Sequence, residues 1–268
     1  MEIHYQDAPT FVQTAGYAID PAKPSVCFVH GAGMDHAVWT LFVRWFVRNG
    51  YNALAPDLRG HGRSGGEVLG SIADHAHWLH GLFDALGLGE VGLAGHSMGS
   101  LVALQAAATG AGRVRKLALL GFGAPMLVGA PLLEAAAAND PAAVDMMTIW
   151  GHDFGAQIGG HQLPGLSIST ITKRRLEAAR PGVLFADLNA CHTYTGGPAA
   201  AASLACPVSL ILGERDRMTP VRGAREFAKC WPRASIEVIS ACGHGMMEEK
   251  PEQTHRALVT ALTVEGHG

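Results

Sequence analysis

Glu90-Val91-Gly92-Leu93-Ala94-Gly95-His96-Ser97-Met98-Gly99-Ser100 is the stretch that most limits what this chain can become. An uncharged, mostly apolar run meets a turn, and Leu101–Ala108 continues as a strong helix-forming segment. The pattern is strand, sharp turn, helix, with Ser97 at the apex and glycines two residues before and two after it. A serine in so tight a turn has strained backbone dihedrals, and bulkier neighbours would collide, so Gly95 and Gly99 are the residues the turn needs. Its hydroxyl then stands above the strand ends, and the following helix aims its N-terminal amides at the same place.

The rest of the chain alternates around this unit. Residues 2–5 and 10–18 read as short strands, and Ser25–Val29 as a strand running into His30-Gly31-Ala32-Gly33. A helix is expected over Ala37–Arg48, with Trp39, Phe42, Val43 and Phe46 at helical spacing and Asn49-Gly50 as its stop. Tyr51–Ala55 is the next strand, followed by the glycine-rich loop Asp57–Gly66. Ser71 caps a helix to Leu86, with Asp74 three residues on. Lys116–Leu120 is a further strand. This βαβαβαβ rhythm predicts a parallel sheet with helices on both faces, and ligands in such sheets bind beyond the C-terminal strand ends. His30, Asp57 and Ser97 all fall there.

From Gly121 to Cys206 the rhythm breaks. About eighty residues without a convincing strand far exceed an ordinary connection of ~2–6 residues. A helical cap lying over the site accounts for them, with helices over Pro131–Ala138, Pro141–Trp150, Ile168–Ala179 and Gly182–His192. Strands resume at Pro207–Gly213 and Ser235–Ser240, with helices over Arg222–Cys230 and Pro251–Leu262. The expected organisation is an α/β core of residues 1–122 and 206–268 with an inserted cap, 123–205.

Composition removes several classes of function. A net charge of −3 offers nothing to attract nucleic acid or an anionic membrane surface. The N-terminus lacks a signal-peptide layout, and the longest run free of Asp, Glu, Lys and Arg, Leu188–Gly213, is too polar and proline-broken to span a membrane. Five cysteines without a C-x-x-C pair suit a reduced, cytoplasmic protein. The partner expected is a small-molecule substrate, with no nucleic acid and no membrane; a homodimer is compatible with the sequence.

A serine hydroxyl needs a base, an orienting acid and donors for an oxyanion. His244 follows the last strand directly, between Gly243 and Gly245. Glu214 and Asp216 both follow the penultimate strand, and either carboxylate could hold the imidazole. Asp57 and His61 lack the spacing and third group of a metal site, so no metal or other cofactor is expected. Trp150, His152, Phe154, His161, His192 and Tyr194 are candidate pocket residues in the cap, and Met126, Met146 and Met147 a candidate apolar wall.

Taken together, H-G-A-G, D-L-R-G-H-G-R-S, G-H-S-M-G, G-E-R-D and the final G-H resemble the α/β-hydrolase superfamily in its capped branch, over nearly the whole chain. The resemblance implies Ser97 as nucleophile, His244 as base and, from the layout G-x-x-D-x-x-x-P, Asp216 as the acid. It implies oxyanion donors at the backbone N–H of Met98 and of Ala32, with Gly33 or Met34 as substitutes for the second. It gives His30 a role in organising its loop, and the Asp57–Ser64 loop a bracing role. A serine rather than an aspartate at the apex argues against epoxide hydrolases and haloalkane dehalogenases. The expected activity is hydrolysis of a small or medium carboxylic ester. C–C bond hydrolysis of a vinylogous diketone and lactonase, amidase, thioesterase or perhydrolase chemistry use the same residues, and a non-catalytic ligand-binding member is the remaining alternative.

Overall fold

The computed structural model describes residues 1–110, 112–159, 165–231 and 233–263. β1 (Glu2–Tyr5) and β2 (Ala8–Gln13) form a hairpin whose two loop residues, Gln6 and Asp7, both have positive φ, the geometry that matches strand twist. β2 stops at Gln13, short of the expected residue 18, because Ala15 and Gly16 both turn to positive φ. β3 (Ser25–Val29) leads to a 3-10 turn, His36–Trp39, opened by the Asp35 carboxylate accepting the Ala37 N–H, and then to α1 (Thr40–Arg48). The helix expected from Ala37 is thus two elements. β4 (Asn52–Pro56), α2 (Ile72–Ala85), β5 (Val91–His96), α3 (Met98–Thr109) and β6 (Val114–Leu120) follow.

Between β6 and the next strand lie α4 (Ala130–Ala137), α5 (Pro141–Trp150), α6 (Phe154–Gln157), α7 (Ile168–Ala178), α8 (Val183–Thr193) and α9 (Gly197–Ser203), and no strand among the described residues. Two of these helices, α6 and α9, were not expected. β7 (Val208–Gly213), α10 (Val221–Ala228), β8 (Ser235–Ile239), α11 (Met246–Glu249) and α12 (Pro251–Leu262) complete the chain.

The strands make one sheet in the order β1-β2-β4-β3-β5-β6-β7-β8, antiparallel at the β1 and β2 edge and parallel from β4 to β8. Alternate residues serve opposite faces. Val26, Phe28, Ala53, Ala55, Ala94, Ala118 and Leu120 join Trp39, Phe42 and Phe46 and the α12 residues Leu258 and Leu262 in one core. Cys27, Val29, Leu54, Leu93, Leu117 and Leu119 join Trp78, Leu82 and Phe83 of α2 and Leu101 and Leu104 of α3 in the other. Both faces being covered explains why the inner strands read as unbroken apolar runs. No helix among the described residues is long and apolar enough to cross a membrane.

Candidate active site

Ser97 sits between β5 and α3 with φ +54° and ψ −122°. Such a backbone costs about 1–3 kcal/mol and persists only where the surroundings enforce it. Here the enforcement is close packing. A Cβ on Gly95 would lie 1.9 Å from the Gly99 carbonyl oxygen, and one on Gly99 would lie 2.4 Å and 2.5 Å from the carbonyl oxygens of Val29 and His30. The Ser97 N–H donates to the Leu120 carbonyl at 2.9 Å, while the Ser97 carbonyl accepts from the Ser100 N–H at 2.8 Å and its Oγ at 2.6 Å.

His244, in the loop between β8 and α11, donates from Nδ1 to Asp216 Oδ2 at 2.7 Å. Asp216 also accepts from the Thr219 hydroxyl at 2.7 Å and from the N–H groups of Met218 and Thr219 at 2.8 Å each. Burial works to raise this carboxyl, but the charge and hydrogen bond of the His244 imidazole and the two hydrogen bonds from Thr219 outweigh it and hold the group below the usual carboxylate range. Glu214, the local competitor, is exposed and accepts the Ala241 N–H at 2.8 Å. With Nδ1 committed, Nε2 of His244 is buried and has no hydrogen-bond partner among the described residues. Ser97 and His244 line one chamber.

The histidine loop is held by His96 and Glu249. His96, beside the serine, donates from Nε2 to the His244 carbonyl at 2.8 Å, and the two rings stand 4.7 Å apart. Burial and the neighbouring His244 push His96 down to about 3, so it stays neutral and is no base. Buried Glu249 accepts the Gly243 N–H at 2.9 Å and the Asp153 N–H at 3.3 Å. Gly243 is needed for close approach rather than for flexibility, since a Cβ there would lie 2.5 Å from the Asp153 nitrogen.

In the turn after β3, where an oxyanion donor is expected, the N–H groups differ in what holds them. The Gly33 N–H is held by Asp187 Oδ2 at 2.8 Å, and the Met34 N–H by the Gly31 carbonyl at 3.2 Å. The Ala32 N–H has no partner among the described residues, and Ala32 lines the same chamber as Ser97. Met98 is the first residue of α3, where amides lack an intrahelical acceptor. His30 accepts the Leu58 N–H at Nε2 and bonds the Gly31 carbonyl through Nδ1. Asp57 accepts N–H groups from His36 and Arg63, which ties its loop to the β3 turn.

Two chambers meet at Ser97. The first is lined by His152, Thr172 and Glu248; the second, the roomier, is lined by Met126, Leu132, Trp150 and Arg217. Met147 and Met218 line both. Of the expected pocket residues, Trp150 and His152 face a chamber. Phe154 is 69% exposed, His192 is exposed and accepts the Val128 N–H, and Tyr194 turns to α3, donating to Gln105 at 2.7 Å; none of the three lines either chamber. Met126 and Met147 form part of the wall, but Met146 does not. His161 lies outside the described residues.

Asp35, His36 and Asp57 bring ligand-type atoms within 4.8 Å of one another. Each already serves the fold: Asp35 caps the 3-10 turn, and Asp57 Oδ1 accepts from both the His36 N–H and its ring Nδ1. Cys27, Cys191 and Cys242 are buried, which raises their thiols and leaves them unreactive; Cys206 is half-buried and Cys230 exposed.

The chain is similar to known proteins in sequence and fold. A model of the alpha/beta hydrolase family matches residues 28–257. A 2-hydroxy-6-oxononadienedioate/2-hydroxy-6-oxononatrienedioate hydrolase of Burkholderia vietnamiensis is 26% identical over 98% of this chain and 91% of its own. A pimeloyl-[acyl-carrier protein] methyl ester esterase of Aromatoleum aromaticum is 29% identical over 86% of this chain and 94% of its own. The crystal structure of the enol-lactonase from Burkholderia xenovorans LB400 superposes with a TM-score of 0.82 at 18% identity, covering 97% of this chain and 98% of that one, a likeness of fold. The chain belongs to the alpha/beta hydrolase family and is a hydrolytic enzyme.

Proposed function

We propose that this hydrolase cleaves small or medium carboxylic esters through an acyl-enzyme on Ser97. One observation carries the reading: the imidazole of His244 is fixed by Asp216 at one nitrogen and left buried, without a partner among the described residues, at the other, in the chamber that Ser97 lines. His244 Nε2 takes the Ser97 proton as Oγ attacks the ester carbonyl, and the developing oxyanion is received by the N–H groups of Ala32 and Met98. The proton then passes to the departing alkoxide. Water, deprotonated by the same nitrogen, repeats the sequence and frees the acid. The helices between β6 and β7 act as the cap; their Leu132 and Trp150, with Met126 from the segment before α4, supply an apolar wall for the substrate. A small-molecule substrate is thus the one partner this reading requires.

Arg217 favours a second reading. It lines the larger chamber, is exposed, and has no ion-pair partner among the described residues. A substrate carboxylate would suit it, as in the dioate substrates named for the Burkholderia vietnamiensis relative. A panel of p-nitrophenyl acetate, butyrate and octanoate, a γ-lactone and a dienone-type diketone carrying a carboxylate decides between them. The ester reading predicts fastest turnover on acetate or butyrate; turnover confined to the diketone replaces it with C–C hydrolysis.

A further inference from the structure

We infer that Asp187 is a positioning residue for the oxyanion turn, through which the seating of helix α8 sets the direction of the Ala32 N–H. The inference rests on the serine-hydrolase reading of the site.

Asp187 lies in α8, between β6 and β7, and is wholly buried. Its Oδ2 takes two hydrogen bonds at 2.8 Å each, one from the Gly33 N–H and one from His61 Nε2. His61 is a fixed post. Its Nδ1 bonds the Arg59 carbonyl at 3.0 Å, so both ring nitrogens face acceptors. Its loop is tied down by Ser64, which donates to the Asp57 carbonyl and accepts the Phe11 N–H. Gly33 is the member that belongs to the turn. It adopts φ +66°, and a Cβ there would lie 3.0 Å from Leu176 of α7 and 3.1 Å from Leu184 of α8. Both helices therefore rest directly on the turn.

The consequence follows from connectivity. Gly33 is bonded to Ala32, whose N–H is the donor proposed for the oxyanion. While α8 is seated, one carboxylate oxygen holds the Gly33 N–H in place and fixes the peptide next to that donor. Without that carboxylate the Gly33 N–H has no acceptor, and the turn is free to rotate. Oxyanion stabilisation depends on donor direction, and misplacement by about 1 Å costs on the order of 100-fold in rate. A carboxylate that merely fastened the helices down would act on substrate affinity instead.

The test combines kinetics on p-nitrophenyl butyrate with hydrogen exchange of the peptide spanning Gly31–Met34. Asp187→Ala is expected to lower kcat about 10- to 100-fold with KM changed less than about threefold, and to speed exchange of that peptide. Asp187→Asn keeps an oxygen for the Gly33 N–H and is expected within about fivefold of wild-type kcat. His61→Gln leaves the Gly33 bond intact and is expected in the same range, which keeps the inference testable should Asp187→Ala fail to fold. Equal kcat loss in the Ala and Asn variants, a loss confined to KM, a His61→Gln loss of 10-fold or more, or unchanged exchange overturns it. Wild-type enzyme inert on every ester overturns the esterase reading instead, and the exchange arm still decides whether Asp187 controls the turn.

Discussion

Asp216 Oδ2 and His244 Nδ1 lie 2.7 Å apart, and the bond between them fixes which imidazole nitrogen faces the chamber lined by Ser97. The two sit 28 residues apart in sequence, and β7 and β8, paired in parallel, bring them together at one end of the sheet.

Asp216→Asn replaces an acceptor of four hydrogen bonds and removes the charge that stabilises an imidazolium. Steady-state turnover of a p-nitrophenyl ester is expected to fall by roughly 10²–10⁴-fold. Glu214→Gln, which touches only the Ala241 N–H at the surface, is expected to stay within about threefold of wild type. The reverse ranking would move the orienting acid to Glu214.

Gly99→Ala places a methyl group 2.4 Å from the Val29 carbonyl oxygen, where only backbone could yield. A loss of about 3 kcal/mol or more in denaturant unfolding is expected, or failure to fold. Gly223→Ala is the control: it lies in α10 with open space around its Cβ position and is expected to gain up to about 1 kcal/mol.

The His61–Asp187 pair gives the protein a pH-dependent contribution to stability. Burial alone would lower His61, but the charge and hydrogen bond of Asp187 prevail and raise it. Burial alone would raise Asp187, yet His61 and the Gly33 N–H hold it below the usual value. The His61 contribution is therefore complete below its unfolded pKa of about 6.5 and lost as pH rises through its raised folded value; that of Asp187 is complete above about 3.9 and lost as pH falls through its depressed one. Of the neighbouring groups, His30 and His75 are pushed by burial to about 4 and stay neutral across this interval, while Asp57, lowered by its bonds to His36 and Arg63 against the opposing effect of burial, stays charged. Thermal melting from about pH 6 to about pH 10 is expected to show the gap between wild type and His61→Gln closing as pH rises. A gap that widens contradicts the pairing.

The parts of the site that the sequence announces are those fixed by local rules. Ser97 is marked by the two glycines its turn requires, and His244 and Asp216 by their positions directly after strands. What long-range packing decides left no such mark. Asp187 is one acid in an alanine- and leucine-bearing helix, and its partners lie 126 and 154 residues away. Glu249 and Thr219 sit close in sequence to the histidine and the acid, yet no spacing rule announces a buried carboxylate that braces a glycine. The pocket lining was the hardest to read. Phe154, His192 and Tyr194 share the chemistry of pocket residues, but the direction each faces depends on how the helices between β6 and β7 pack. Helix α9 did carry a local signal, proline in its first turn before a run of alanines, and the loop-like glycines at 196 and 197 masked it.

The identity of Ser97 as nucleophile, with His244 as its base, is tested most directly by labelling with a fluorophosphonate probe and mapping the modified peptide. The account predicts a single adduct on Ser97, absent in Ser97→Ala and strongly slowed in His244→Ala, with kcat on an ester reduced about 10⁴–10⁶-fold in both variants. An adduct that persists in Ser97→Ala, or that maps to another serine, contradicts it.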